Sequence, residues 1–515
     1  MPTIGHDWLA REFQIEPVHP FPVVSKVGKS RSTTRIDDVR NEVYPESYRP
    51  ANNLSDHLAF ALKYEGIHLE FLARLYALAE TKQALEQWAL REPTGAFARR
   101  ACFLYEWLMP NEQLAVPDCT QGNYVDALNP EDYFVGAAIN NRRWRVRDNL
   151  PGTCDYCPTI RRVEGVREAE DYDIGSRLEQ LEIDFGIDLI LRSTVWLTIK
   201  ESRASFLIEH EQDQEDRIRR FAAVMENECG VHDNPFDPAT LEVLQREILG
   251  KSALRYGIRR SPVYVGHTAR YQPVVDYIAP HWDHTRPMLA GLSSFLQKSR
   301  GKSSIVRAAV ACFGFVYVHP MADGNGRISR FLINDVLRRD SVLAAPLILP
   351  VSASITHSAQ NKAAYDRVLE TFSRPLMRRY AEHTRFGETL QAEDGVYYNL
   401  HFSAYDEALP AWRYPDLTRH TLYLAGVIDD TISQEMRLEA RFLQANDNAR
   451  HAIKQFMEAP DNELDQIIRA VRQNGGSLSN KLIKRYPLFI ERPDLGERIA
   501  RAVEQAFVDT PATLN

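Results

Sequence analysis

Apolar residues recur at helical spacing over most of the chain. From Leu54 to about Leu108, positions Leu58, Leu62, Ile67, Phe71, Leu72, Leu75 and Leu78 repeat on one face and predict a helical bundle. Helical periodicity returns at about Ile174 and dominates to about Arg385, and the remainder of the chain is again mostly helical. Two stretches break the pattern. Residues 110–172 are rich in turn formers (Pro117, Asn129-Pro130, Pro151-Gly152, Pro158) and predict a loop-rich connection with short strands. Between Ser261 and Pro280, Val263-Tyr264-Val265-Gly266 and the run Val274 to Ile278 predict a short hairpin. Residues 1–50 mix Pro, Ser, Arg and Asp without a sustained period and predict an irregular arm. The expected protein is mainly α with a minor β component. It divides into the arm over 1–50, a helical N-terminal domain over 51–173, a helical core over 174–385 and a helical C-terminal extension over 386–515.

Composition narrows the function classes. The 515 residues hold 62 Lys+Arg against 70 Asp+Glu, a net charge of -8, with 44% hydrophobic and 26% charged residues. These proportions exclude wholesale disorder, and the mild acidity argues against bulk binding to nucleic acid or an anionic membrane. Met1 to Phe13 contains Asp7, Arg11 and Glu12 and no apolar secretory core. The longest uncharged stretch, Ser341 to Asn361, is apolar only from Val342 to Val351 and is broken by Pro346 and Pro350, so no membrane span is predicted. Six scattered cysteines are too few for a disulfide framework and predict a cytoplasmic protein. Cys154 and Cys157 could be half of a zinc site, but no second pair exists, so reduced or buried thiols are expected. His281, Trp282 and His284 are expected to pack.

One segment carries chemistry: His319-Pro320-Met321-Ala322-Asp323-Gly324-Asn325-Gly326-Arg327-Ile328-Ser329-Arg330. Ile305, Ala308, Ala309, Cys312, Phe315 and Val316 make an apolar helix face before it. Ile328, Phe331, Leu332, Val336 and Leu337 continue as a second helix after it. The segment is therefore a tight loop feeding a helix N-terminus. Gly324 and Gly326 let the backbone turn its amides inward, and the helix dipole favours an anion there. Arg327 and Arg330 lie three apart, on one side of the helix, where guanidinium groups can grip phosphate. Asp323 is a hard oxygen ligand suited to Mg²⁺ beside phosphates, and His319 can take a proton from a hydroxyl. Together these groups read as transfer from a nucleoside triphosphate. Other phosphate loops do not fit: Gly250-Lys251-Ser252 and Gly301-Lys302-Ser303 have Gln245 and Leu296 where a P-loop needs glycine. Gly324-Asn325-Gly326 has Ser329 at the third glycine of a dinucleotide fingerprint.

The segment resembles the signature of the Fic domain, His-x-Phe-x-(Asp/Glu)-Gly-Asn-Gly-Arg-x-x-Arg, with Met321 in place of Phe as its one departure. Upstream, Ser205-Phe206-Leu207-Ile208-Glu209-His210 resembles the inhibitory Ser-x-x-x-Glu helix of long bacterial Fic proteins, with His210 departing at the last position. The hairpin at Val263, Tyr264, Val265 and Gly266 stands where those proteins carry the flap that clamps a target segment. The resemblance spans about residues 50–490.

It implies a Fic-type core with a hairpin flap and protein adenylylation, in which AMP moves from ATP, with Mg²⁺, to a hydroxyl of a target protein. His319 would be the base and Asp323 the metal ligand. The amides of Gly324, Asn325 and Gly326, helped by the Asn325 side chain, would form the anion hole. Arg327 would meet the β-phosphate and Arg330 the γ-phosphate. Tyr365 would approach the adenine, Ser205 and Glu209 would belong to the inhibitory helix, and Glu209 would occupy Arg330. Self-modification and a homodimer are candidate features. The alternatives are AMP removal or other nucleotidyl transfer at the same site, or a DNA-binding regulator that senses ATP. Intact His319 and Asp323 favour an enzyme.

For DNA contact, the C-terminal residues offer Leu464, Ile467, Ile468 and Val471 on one helix face and a turn at Asn474-Gly475-Gly476. A helix capped by Ser477 and running through Lys484 would complete a module like a winged helix.

Overall fold

The structure, a computed structural model, describes residues 1–36, 39–209, 215–253, 255–269 and 272–508. Its elements run in chain order as follows. Strand β1 (Thr3–Ile4), helix α1 (His6–Glu12) and strands β2 (Val23–Gly28), β3 (Ser32–Ile36) and β4 (Val39–Pro45) precede helices α2 (Leu54–Tyr64), α3 (Leu69–Tyr76), α4 (Ala79–Arg91) and α5 (Ala96–Leu108). Strands β5 (Val125–Asp126), β6 (Ile139–Asn141) and β7 (Val146–Asp148) lead to α6 (Glu164–Asp171), α7 (Ile174–Phe185), α8 (Ile187–Ile208), α9 (Glu215–Asn227) and α10 (Pro238–Leu249). The hairpin β8 (Tyr264–Ala269) and β9 (Gln272–Ile278) comes next. It is followed by α11 (Thr285–Lys298), α12 (Ser304–Val318), α13 (Asn325–Arg339), α14 (Val351–Thr356) and α15 (Ala359–Tyr380). A second hairpin, β10 (Thr384–Gln391) and β11 (Tyr397–Phe402), precedes α16 (Tyr405–Arg413) and α17 (Thr418–Asp430). A π-helical stretch, Thr431–Met436, runs into α18 (Arg437–Lys454), and the chain closes with α19 (Asp461–Gln473), α20 (Asn480–Arg485), α21 (Leu488–Glu491) and α22 (Pro493–Ala506). The protein is mainly helical, as its periodicity predicts. No helix of the described residues is long and apolar enough to cross a membrane.

The described residues among the first fifty, expected to be irregular, are folded. Val23, Ser25 and Val27 alternate inward along β2, which pairs in parallel with β4 and antiparallel with β1, giving the order β1-β2-β4-β3. The strands are short and interrupted by Lys and Arg, so a period of two does not persist long enough to stand out.

Two compact units partition the chain. The first contains Met1–Tyr172, Asn227–Ser341 and Ala359–Ala425; the second contains Asp173–Glu226, Val342–Ser358 and the chain from Gly426. One division falls between Tyr172 and Asp173, and residues 174–385 are shared between the two units. In the first unit, the predicted face Leu58, Leu62, Ile67, Phe71, Leu72 and Leu75 is buried in one cluster with Trp88 and Leu104. Asn53 caps α2 by accepting the Asp56 N–H at 2.9 Å. Helices α12 and α13 are the interior of this unit. Ala308, Ala309, Val310 and Phe315 of α12 and Ile328, Phe331 and Leu332 of α13 are all inaccessible to solvent.

In the second unit, Glu201 of α8 is a buried carboxylate that accepts the Ser352 N–H at 2.6 Å and the Ser352 hydroxyl at 2.5 Å, tying α8 to α14. Leu464, Ile467, Ile468 and Val471 form the predicted buried face, packed with Leu482, Phe489 and Ile499. The cap of the next helix is Ser479, not Ser477: its hydroxyl accepts the Leu482 N–H at 3.2 Å, and Ser477 instead closes the preceding turn on Asn474. Among the described residues no strand follows Phe402, so this module has helices and no wing. The extension expected to be helical from 386 begins instead with the β10–β11 hairpin, where Thr384 pairs with Phe402.

Candidate active site

Helix α12 stops because His319 turns left-handed, at φ 47° and ψ 58°, while its N–H still donates to the Phe315 carbonyl at 2.9 Å. A side chain other than glycine in that region costs on the order of 1–3 kcal/mol and persists only where its surroundings impose it. Arg259 imposes it. This buried guanidinium donates from Nε to the His319 carbonyl at 2.7 Å, from Nη1 to the Ser261 carbonyl at 2.9 Å and from Nη2 to the Pro280 carbonyl at 2.6 Å. The Arg259 N–H donates to the Pro320 carbonyl at 2.9 Å, and Ile258 bridges Met321. Burial lowers the guanidinium pKa to about 10, so it remains charged at neutral pH.

The same turn fixes the imidazole. Nδ1 of His319 lies 3.1 Å from the Val316 carbonyl. A carbonyl only accepts, so Nδ1 carries the proton and Nε2 is the basic nitrogen of the neutral ring. The ring of Tyr277, in β9, lies 6.4 Å from it, and the Tyr277 hydroxyl donates to the Tyr317 carbonyl.

At the other end of the loop, Gly324 takes φ 88° and caps α13. A Cβ there would meet Leu249 Cδ1 at 3.2 Å, so glycine is needed for conformation and for space. Asp323 Oδ1 accepts the Gly324 N–H at 2.6 Å and Arg327 Nη2 at 3.1 Å. The helix start therefore already binds a carboxylate oxygen, which is what its inward amides and dipole favour. Gln245 of α10 donates to the Asp323 carbonyl at 2.8 Å and steadies the loop from outside.

The loop and the first two turns of α13 thus gather His319, Asp323, Gly324, Asn325, Gly326, Arg327 and Arg330, with both arginines buried. Residues 235–337 match the model of the Fic/DOC family. This stretch is a Fic/DOC family domain. A protein adenylyltransferase fic-1 of Caenorhabditis briggsae is 33% identical over 145 residues, which cover 27% of this chain and 26% of that protein. The Caenorhabditis elegans protein of the same name is 31% identical over 156 residues, covering 30% of this chain and 28% of its own. The chain spans about a quarter of the length of these curated relatives. A crystal structure of a Fic family protein from Desulfovibrio desulfuricans G20 aligns with a TM-score of 0.36 and 17% identity, over 63% of this chain and 87% of that one.

Within the Fic domain, two expectations change. The Asn325 side chain does not face an anion: Oδ1 accepts the Met321 N–H at 3.0 Å and Nδ2 donates to the Met321 carbonyl at 2.8 Å, so it locks the loop. Tyr365, in α15, is only 6% exposed and packs on Tyr423, with ring centroids 6.1 Å apart, so it offers no open face to a base. Met321, in place of the signature phenylalanine, is inaccessible and fills that space.

The hairpin is present as the pattern predicts. Val263 accepts the Ala279 N–H at 3.1 Å, and β8 pairs with β9 from Tyr264↔Ile278 onward. Tyr264 and Val265 are exposed, and a Cβ on Gly266 would collide with the Val274 carbonyl. Among the described residues β8 pairs only with β9, leaving its outer edge without a strand. Ser205 and Glu209 belong to the second unit and lie outside the family match: Ser205 is buried in the last turn of α8, and Glu209 is its exposed C-cap. His210 lies outside the described residues. No group of three or more His, Cys, Asp or Glu able to hold a metal occurs among the described residues. Cys157 is buried and its thiol is pushed up to about 12 by burial. His281 stacks on Trp282 at 3.8 Å, as a packing residue does.

Arg259, Gln245 and Tyr277 were not legible in the motif. Arg259→Lys replaces a planar fork with a point charge that cannot reach three carbonyls. Loss of two charged hydrogen bonds to buried acceptors should destabilise the first unit by about 3 kcal/mol, read as a lower urea midpoint. An unchanged midpoint would show that the clamp does not hold the loop.

Proposed function

We propose that this chain is a Fic-type protein adenylyltransferase that moves AMP from ATP to a hydroxyl side chain of a target protein and releases pyrophosphate. The observation that carries this reading is the single loop that holds a basic imidazole nitrogen beside a helix start built for an anion. The names of the matched relatives support the same reaction class. In this mechanism the first-turn amides of α13, at Asn325 and Gly326, with Arg327 and Arg330, bind the triphosphate. Their charge stabilises what builds up on the departing pyrophosphate. Nε2 of His319 takes the hydroxyl proton as that oxygen attacks the α-phosphorus. The bond from the α-phosphorus to the oxygen bridging the α- and β-phosphates breaks.

Asp323 fits Mg²⁺: its side chain is 43% exposed, and one carboxylate beside substrate phosphates suffices for this ion. Bound there, Mg²⁺ would supply charge neutralisation of the phosphates. The open edge of β8 suits a target segment that docks by strand addition, with main-chain hydrogen bonds giving affinity.

His319→Ala should reduce transfer of label from ATP labelled on the α-phosphate by about 10²- to 10⁴-fold while ATP affinity persists. Near-normal transfer by this variant would remove the mechanism.

The same reading gives Glu209 an inhibitory role, through competition of its carboxylate with the γ-phosphate for Arg330. The Ser205–Glu209 spacing on one helix end supports it. Misplacing the reacting phosphate by about 1 Å can cost on the order of 10²-fold, so Glu209→Gly should raise adenylylation by about that factor. Equal rates for wild type and Glu209→Gly would leave Glu209 a surface carboxylate.

A further inference from the structure

Arg99, near the start of α5, is a buried cation that leaves much of its hydrogen-bonding capacity unspent. It is 4% exposed, and among the described residues it forms no ion pair. Nη1 donates to the Asn123 carbonyl at 3.0 Å and the Arg145 carbonyl at 3.1 Å, with the Trp144 carbonyl at 3.5 Å. Nε is buried without an acceptor, and no hydrogen bond leaves Nη2 among the described residues. Arg259 makes the contrast plain, since each of its three nitrogens meets a carbonyl. The Nε–Nη2 edge of an arginine is a planar fork that grips a carboxylate through two parallel bonds. A desolvated charge with that edge unpaired is costly, and an anion from outside the chain would relieve the cost.

Arg99 stands in the wall of a cavity of about 340 Å³, near the lower end of the range for ligand sites. Leu90, Pro93, Val116, Pro117 and Trp144 give the cavity apolar sides. Glu92 and Asp118 also line it, but both are exposed and each already pairs with an arginine. Glu92 meets Arg91 at 3.2 Å, and Asp118 meets Arg143 at 2.6 Å. The start of α5 adds the positive end of its dipole, because its first turn holds no acidic residue and no side chain caps it.

We propose that this cavity binds a small monocarboxylate with a flat apolar body. The carboxylate sits on the Nε–Nη2 edge of Arg99, and the body lies against Leu90, Val116 and Trp144. Arg99 is the one cation among the described lining residues, so one negative charge is matched. A phosphate dianion is a poorer occupant, because Glu92 and Asp118 would repel its second charge. The site lies outside residues 235–337, and the proposal is independent of the transfer chemistry.

The test is equilibrium dialysis of the full chain against radiolabelled phenylacetate. Phenylacetamide serves as the uncharged counterpart, and inorganic phosphate as an anion without an apolar body. Phenylacetate should bind saturably, once per chain, with a dissociation constant on the order of 0.1 mM. Phenylacetamide should bind at least about tenfold more weakly, because it brings no charge to the guanidinium. Leu90 is 62% exposed, so Leu90→Glu disturbs little packing and sets a like charge at the mouth, which should weaken binding about tenfold. Arg99→Gln should weaken it by about 10²-fold. Ile36→Glu, at another exposed apolar site of the same unit, should change nothing. The Leu90→Glu arm decides the matter even where loss of the carbonyl bonds unfolds Arg99→Gln. No saturable binding of phenylacetate, equal affinity for phenylacetamide, or binding indifferent to Leu90→Glu would overturn the proposal. Phosphate binding that Leu90→Glu weakens, with no binding of phenylacetate, would assign the cavity to a phosphate group and overturn it equally.

Discussion

Arg259 spends a buried positive charge on three backbone carbonyls, those of His319, Ser261 and Pro280, and the geometry of the site depends on that expenditure. An arginine in that position joins the loop between α12 and α13 to the segment before the β8–β9 hairpin and to the end of β9. It holds His319 in a left-handed conformation that its side chain would not choose. From that turn follow the Nδ1 bond to the Val316 carbonyl and the basic character of Nε2. Asn325 closes the loop on Met321 from the other side. Two internal locks thus fix the loop that leads into the start of α13.

The division of labour explains what could be read from the sequence. His319 to Arg330 was legible because every group lies within one loop and two helix turns, so spacing alone puts them together. Arg259 was not, because nothing local distinguishes an arginine that clamps carbonyls sixty residues away from one on a solvated face. The Asn325 side chain was expected at an anion and bonds the Met321 backbone instead, because composition gives a side chain's chemistry and not its direction. Tyr365 failed for the same reason: its ring faces Tyr423 in the interior.

The fold was legible where helical periods are long and illegible where strands are short. Leu464, Ile467, Ile468 and Val471 were identified as a buried face because one amphipathic helix carries them all. The sheet of β1 to β4 and the β10–β11 hairpin were missed, because their strands are mostly exposed or alternate for only a few residues.

The central claim is that the loop between α12 and α13 transfers a nucleotide, not a phosphate. Incubating the full chain with a protein substrate mixture and ATP labelled either on the α-phosphate or on the γ-phosphate tests it directly. Label should appear on protein from the α-phosphate and leave as pyrophosphate from the γ-phosphate. Label on protein from the γ-phosphate, with none from the α-phosphate, would mean phosphoryl transfer and would contradict the claim.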